Sequence, residues 1–545
     1  GKGAIDADNA ASVTATINGP DIFFGNLQAG QASTVSLTLN AASAFNDINA
    51  GKATTVTVRA NSGKANFNDI NAGGSNTLNL IANAAIAMGD INGGVTTTAL
   101  NISGAGAVSI NDANLAGAGA TINATGNSGG VFINQELQTA TQFQGGSGGD
   151  NALFGATTRA NTFGAGNDTA RLSVSALGAG GSLDGGADKD TLSMSHANAA
   201  ATVLAFAASI SNFEVLDLTG GGAGQTVDLD NFDSIGFVRT DGGTVTLENM
   251  QTGETVEISN AAGKGTTTVL GDFGSVNDTF NVSLQGALDQ DLVMNDIESI
   301  AFTTNAIAGD RIIDLTGNTV TTITIAGNAG IDFEFGDLSK VPDSVTLLDA
   351  SGVTGLGALG AVRAETFNNA GVTFIGGAGD DLLKGAGGVD TLTGNGGNDE
   401  LQGFGGNDIL NGGDGDDELF GQGDLDTLNG GAGDDLLDGG GDTVRDTLTG
   451  GTGADTFVVD DLSTNVNTFD VVTDATVGST DTFDFGAAIV SFASAAVVVG
   501  PDFATAVDSA TATAGDLAWF VFSDGNTYLV NEGGVVNNSA FNAAE

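Results

Sequence analysis

Polar and apolar residues alternate with a period of two inside longer repeating frames, a combination that predicts strands rather than helices. In the first quarter of the chain, alternating stretches such as Thr34-Val35-Ser36-Leu37-Thr38-Leu39 and Thr55-Val56-Thr57-Val58 are separated by a phrase that returns every 21 or 22 residues. It reads Phe24-Gly25-Asn26-Leu27, Phe45-Asn46-Asp47-Ile48, Phe67-Asn68-Asp69-Ile70, Met88-Gly89-Asp90-Ile91 and Ile110-Asn111-Asp112-Ala113, with a worn copy at Ile133-Asn134-Gln135. A strand that buries one face, a turn and a second short strand fill such a frame, and stacked frames share one apolar core. Residues 1–144 therefore read as a β-solenoid. The repeated Asn or Asp is expected to turn the corner or to form a ladder with its neighbours.

Residues 195–372 are less regular. Asn212-Phe213-Glu214-Val215-Leu216-Asp217-Leu218 is echoed by Asn295-Asp296-Ile297-Glu298-Ser299-Ile300, and strands such as Thr321-Thr322-Ile323-Thr324-Ile325 follow. This reads as further solenoid with imperfect coils.

A third pattern has period nine. From Gly376 the chain runs GGAGDDLLK, GAGGVDTLT, GNGGNDELQ, GFGGNDILN, GGDGDDELF, GQGDLDTLN and GGAGDDLLD. An eleven-residue copy, GGGDTVRDTLT, follows, and GGTGADTFV closes nine consecutive units at Val458. Each of the seven regular units and the last has Asp at its sixth position, and every unit carries a large apolar residue two places after its Asp. The glycine half has to make a tight turn with close backbone approach. The other half reads as a three-residue strand whose apolar residue points inward.

Two units complete a coil of about 18 residues, so alternate units stack and the sixth-position Asp of one lies near that of the unit two further on. The expected pairs are Asp381 with Asp399, Asp390 with Asp408, Asp399 with Asp417, Asp408 with Asp426, Asp417 with Asp435, Asp426 with Asp446, and Asp435 with Asp455. Carboxylates plus turn carbonyls supply the oxygens that calcium prefers. A single Leu per strand cannot hold a coil, so the metal has to, and the segment is expected to unfold without it. A weaker block at residues 145–194 repeats the turn half around Asp150 and Asp168 and, in Gly185-Gly186-Ala187-Asp188-Lys189-Asp190-Thr191-Leu192, around Asp190. Calcium is expected there too.

Composition narrows the partners. The chain has 66 acidic and 14 basic residues, a net charge of −52, which argues against nucleic acid and anionic membrane surfaces. Without cysteine it offers neither disulfides nor thiolate zinc sites. The most apolar stretch, residues 487–499, is far too short to span a bilayer, so no membrane insertion is expected. The chain opens Gly1-Lys2-Gly3, without a start Met or an apolar signal, and so reads as a fragment or a processed product.

Catalysis is not expected. Gly145-Gly146-Ser147-Gly148-Gly149 satisfies G-x-S-x-G, but the single histidine, His196, reads as a surface or turn residue and no strand–turn–helix surrounds the serine. Gly355-Leu356-Gly357-Ala358-Leu359-Gly360 satisfies G-x-G-x-x-G without a βαβ unit around it.

The nonapeptides match the G-G-x-G-x-D-x-U-x repeat of RTX proteins, a calcium-binding parallel β-helix. Beyond them, residues 145–192 resemble the RTX-type surface-layer proteins of bacteria, that of Caulobacter in particular. So do Leu347-Leu348-Asp349-Ala350-Ser351-Gly352-Val353-Thr354-Gly355 and the stretch from Trp519 to Tyr528. The likeness runs from about Phe143 to the C-terminus. It implies an all-β, elongated solenoid with calcium-binding RTX β-rolls, type I secretion, folding in external calcium, and self-assembly into a two-dimensional lattice on the cell surface. The family's anchoring region, which grips lipopolysaccharide, has no counterpart in these residues, so attachment to cell-surface polysaccharide is assigned to no residue here. Asp455-Thr456-Phe457 and Asp481-Thr482-Phe483-Asp484-Phe485 resemble the cap that follows such rolls, making residues 373–458 the main roll and 459–545 a secretion-associated cap. The competing expectation is a secreted RTX adhesin or other extracellular binding module.

Overall fold

A computed structural model describes residues 3–458 apart from 20–21, 95–96, 116–118, 221–222, 233–234, 242, 260–264, 272–277, 287, 306–310, 318, 334–340 and 442–443. Beyond 458 it describes 470–474, 481–484, 496–499, 517–522, 527–531 and 534–535. Two compact units divide the chain, Gly1–Met250 and Gln251–Glu545. Both are β-solenoids built almost wholly from parallel strands.

In the first unit, Thr34–Leu39, Thr55–Ala60 and Thr77–Ala82 stack one frame apart, Val35 opposite Val56 and Val56 opposite Leu78. The period-two pattern does what it predicts: Val35, Leu37 and Leu39 are at most 2% exposed, with the intervening Ser and Thr turned outward. Burying each such side chain contributes about 1.5–3 kcal/mol, but only once a neighbouring rung covers it. A second sheet stacks Ser43–Asn49, Ala65–Asn71, Ile86–Gly94 and Val108–Leu115. Phe24, Phe45 and Phe67 pile up inside it with ring centroids 4.6 and 5.8 Å apart.

The Asn and Asp of the repeated phrase lie within these strands and not at corners. Asp47, Asp69, Asp90 and Asp112 sit opposite one another on successive rungs. The Asn68 amide donates to Asp47 Oδ1 at 3.1 Å, and that of Asn111 to Asp90 Oδ1 at 2.9 Å. Asn71 and Asn92 likewise donate one rung back, to Asn49 and Asn71. Like residues in register find their best partner on the next rung, so the ladder wins over turn chemistry.

Near residue 145 the frame shortens, and Asn151–Phe154 pairs with Thr169–Leu172, an 18-residue step. A five-residue helix, His196–Ala200, follows the Thr191–Ser195 strand, its first turn capped by the Ser195 hydroxyl, which accepts from the Asn198 N–H. His196 is buried here and not at the surface. Its Nδ1 lies 3.1 Å from the Thr219 carbonyl oxygen and its Nε2 3.2 Å from Thr240 Oγ1. Partners on two following rungs offset the burial of the ring.

In the second unit, Thr279–Gln285, Ser299–Asn305, Thr322–Gly327, Leu347–Val353 and Thr373–Ile375 stack in parallel. Gly265–Gly271, Leu288–Asn295 and Arg311–Thr316 form the facing stack. The stretch 195–372, expected to be further solenoid, is divided between the two units at Met250. Most of 459–545 lies outside the described residues. What is described there continues the two stacks through Val471–Val472 and Thr482–Asp484, and pairs Leu517–Phe522 antiparallel with Thr527–Asn531.

Candidate metal centre

The nine units fold as a two-sided roll. Odd-numbered units supply one stack, Leu382–Lys384, Glu400–Gly405, Glu418–Gly423, Leu436–Asp438 and Thr456–Val458. Even-numbered units supply the other, Thr391–Gly396, Ile409–Asp414, Thr427–Ala432 and Thr447–Thr452. The inward apolar residues Leu383, Leu392, Leu401, Leu410, Leu419, Leu428, Leu437, Leu448 and Phe457 are fully buried. Several strands run for six residues rather than three, because pairing continues into the glycine half: Asn395 lies opposite Gly413, and Gly413 opposite Gly431.

The sixth-position aspartates form one buried ladder on each edge. In all seven expected pairs the N–H of the first Asp donates to Oδ1 of the second, at 2.7–3.1 Å. The pair that spans the two-residue insertion, Asp426 with Asp446, keeps this bond at 2.7 Å. The ladders also run past the expected residues. The Asp446 N–H donates to Asp470 Oδ1 at 2.9 Å and the Asp455 N–H to Asp481 Oδ1 at 3.2 Å. Asp481 was signalled by Asp481-Thr482-Phe483, a second copy of Asp455-Thr456-Phe457. Asp470 follows no glycine turn and carried no such signal.

The upstream block has the same construction. Val131, Asp150 and Asp168 donate their N–H groups to Asp150, Asp168 and Asp190 Oδ1 at 2.7, 2.6 and 2.8 Å. The next rung substitutes a longer acid, Glu214, whose Oε2 accepts from the Asp190 N–H at 2.7 Å. The echo segment around Glu214 suggested a strand, not a member of the ladder.

The first and second positions of the units constrain the chain for different reasons. A Cβ on Gly394, the first residue of its unit, would lie 2.0 Å from Asp399 Oδ2 and 2.7 Å from the Gly412 carbonyl oxygen. That position is where carboxylate and carbonyl oxygens converge. From the third unit on, the second position takes positive φ, and Asn395, Phe404 and Gln422 adopt it at +75°, +73° and +76°.

A second ladder runs along the odd-unit turns in the opposite sense. Asp380, Asn398, Asp416 and Asp434 each accept, through Oδ1, an N–H from the following coil at 2.8–3.1 Å. The inner aspartates reach back one coil and the outer residues reach forward.

Burial dominates the electrostatics. It pushes the carboxyls of Asp381, Asp399 and Asp417 up to about 7 and those of Asp408, Asp435 and Asp455 to about 6, with neighbouring carboxylates adding to each. Asp390 is raised by burial as well. Upstream, Asp150 and Asp190 rise to about 6 and Asp168 to about 8, burial again the main cause. Among the described residues, Oδ2 of Asp168, Asp190, Asp399, Asp408, Asp417 and Asp435 is buried without a hydrogen-bond partner. At the start of each ladder Oδ2 instead takes a turn N–H, Gly146 for Asp150, Gly377 for Asp381 and Ala386 for Asp390. No cluster of three or more His, Cys, Asp or Glu side chains suited to a metal occurs among the described residues. A cation would therefore have to draw on backbone carbonyls as well. This all-oxygen donor set, with orphaned carboxylate oxygens beside turn carbonyls, fits a hard divalent ion.

The family of RTX calcium-binding nonapeptide repeats matches this segment four times, over residues 373–401, 385–419, 402–437 and 413–444. The roll is an array of RTX repeats. These repeats are calcium-binding, which supports calcium as the ion class for the roll. Comparison with curated proteins finds no match. Among the described residues no helix is long and apolar enough to cross a membrane.

Proposed function

We propose that this is a secreted structural protein whose calcium-dependent folding and self-assembly build a two-dimensional layer on the bacterial surface. The observation that supports it most is the pair of unbroken ladders of buried aspartates through the RTX run. Asp381, Asp390, Asp399, Asp408, Asp417, Asp426, Asp435, Asp446 and Asp455, with the turn carbonyls, would hold calcium, and Asp150, Asp168 and Asp190 would do so upstream. Bound calcium supplies the positive charge that a column of buried carboxylates lacks. These carboxylates repel one another where calcium is scarce and keep the run unfolded; where calcium is plentiful the same side chains fix the coil. A chain built this way crosses to the exterior unfolded and acquires its structure there, and RTX repeats fit that route. The protein's role is architectural rather than catalytic.

Purified protein in millimolar calcium should form ordered sheets under the electron microscope, and chelation should dissolve them. Protein that folds with calcium yet stays dispersed at every concentration would discard the lattice and favour an extracellular adhesin.

A further inference from the structure

The two faces of the RTX roll differ in charge. On the odd-unit face, the outward side chains include Lys384, Glu400, Glu418 and Asp438, and the adjoining turns expose Asp380, Asp416 and Asp434. On the even-unit face, one outward column is Thr391, Ile409, Thr427 and Thr447. The neighbouring column, which includes Asn411 and Asn429, carries no charge either. The turns leading into this face expose Val389 at 63%, Leu425 at 44% and Phe404 at 39%, and Ile409 on the face itself is 43% exposed. The two outward columns carry no charge, which is conspicuous in a chain of net charge −52, and the nearest exposed acids are Asp414, at the end of the Ile409–Asp414 strand, and Asp424, beside Leu425.

We propose that the even-unit face of the roll is a contact surface for the same face of a second copy of this chain. The inference rests on the self-assembly reading and names its surface. Charge selects the occupant. Two copies carrying this much negative charge repel wherever acidic faces meet, and like charges brought together cost several kcal/mol. The Thr/Asn/Ile columns themselves carry no carboxylate to bury, and the exposed Val389, Leu425 and Phe404 supply apolar area at their border. A face that meets its own copy makes a two-fold contact, in which a residue near the axis lies close to its own counterpart.

The test uses the full chain in millimolar calcium. The Ile409→Glu/Thr427→Glu double variant should raise the concentration at half-assembly at least tenfold in sedimentation, while calcium-induced circular dichroism matches the parent. Glu400→Gln/Glu418→Gln on the opposite face should not raise it. Because the chain has no cysteine, Asn429→Cys can form only an intermolecular disulfide. It should cross-link under mild oxidation with calcium, and Gln402→Cys on the odd face should not. A parent that assembles while the double Glu variant assembles equally well, or while Gln402→Cys cross-links in place of Asn429→Cys, overturns this surface and leaves the lattice reading standing. A parent that remains monomeric at every calcium concentration overturns both.

Discussion

Asp417 is held from both sides: its Oδ1 accepts the Asp399 N–H at 2.8 Å, and its own N–H donates to Asp435 Oδ1 at 2.9 Å. Its Oδ2 is left for a cation. Asp381, at the start of the same ladder, is already satisfied by the chain, accepting the Val362 N–H on one oxygen and the Gly377 N–H on the other. Asp417→Ala should therefore raise the calcium midpoint of folding roughly tenfold, or about 1.4 kcal/mol, and Asp381→Ala much less. A calcium titration followed by circular dichroism measures both, and equal shifts would refute the pairing between alternate units. Phe404 presents a separate opportunity, since a bulky residue at φ +73° sits where glycine is at ease. Phe404→Gly should stabilise the calcium-loaded roll by about 1 kcal/mol in urea unfolding, the left-handed penalty removed.

At the level of the element, the roll couples folding to protons as well as to calcium. The carboxyls of Asp381, Asp399, Asp417, Asp408, Asp435 and Asp455 rise to about 6 or 7 in the folded state. A group raised on folding lends its full stability below the unfolded value and loses it as pH climbs through the folded one. In chelator, then, the roll should be more structured near pH 4 than at pH 8. With calcium the sign reverses, because protons compete for the same oxygens, and the calcium midpoint should rise as pH falls from about 8 to about 5. Titrations at several pH values check this, and a pH-independent midpoint would remove the carboxylates from the site. The pairing itself was legible because a nine-residue phase places every Asp, and the period-two stretches likewise announced which Val and Leu turn inward. Other features were not legible. Glu214 joins the upstream ladder only because its strand lands one rung beyond Asp190, and His196 is buried by partners on rungs that no local pattern brings near it. The unequal charge of the roll's two faces was hidden as well, since adjacent units in the sequence alternate between faces in space.

Over the whole chain, calcium dependence should be unequal. Rungs before residue 145 bury Leu37, Ile48, Val58, Ile70 and Leu80 completely and owe their stability to apolar contact. The roll has only one buried large apolar side chain per unit to set against its carboxylates. Limited proteolysis in chelator should cut within 376–458 while fragments covering the first 144 residues persist, and calcium should protect the roll; uniform degradation would count against two modes of stabilisation. The buried ladders have a directional consequence too. Each coil holds out N–H donors that only the next coil's aspartates can satisfy, so chain added at the C-terminal side meets a prepared template. Removing a coil from the N-terminal side instead strips buried carboxylates of their donors, as Asp399 would lose the Asp381 N–H. The stack thus has a receptive end and a vulnerable one, and its folding has a preferred direction of growth.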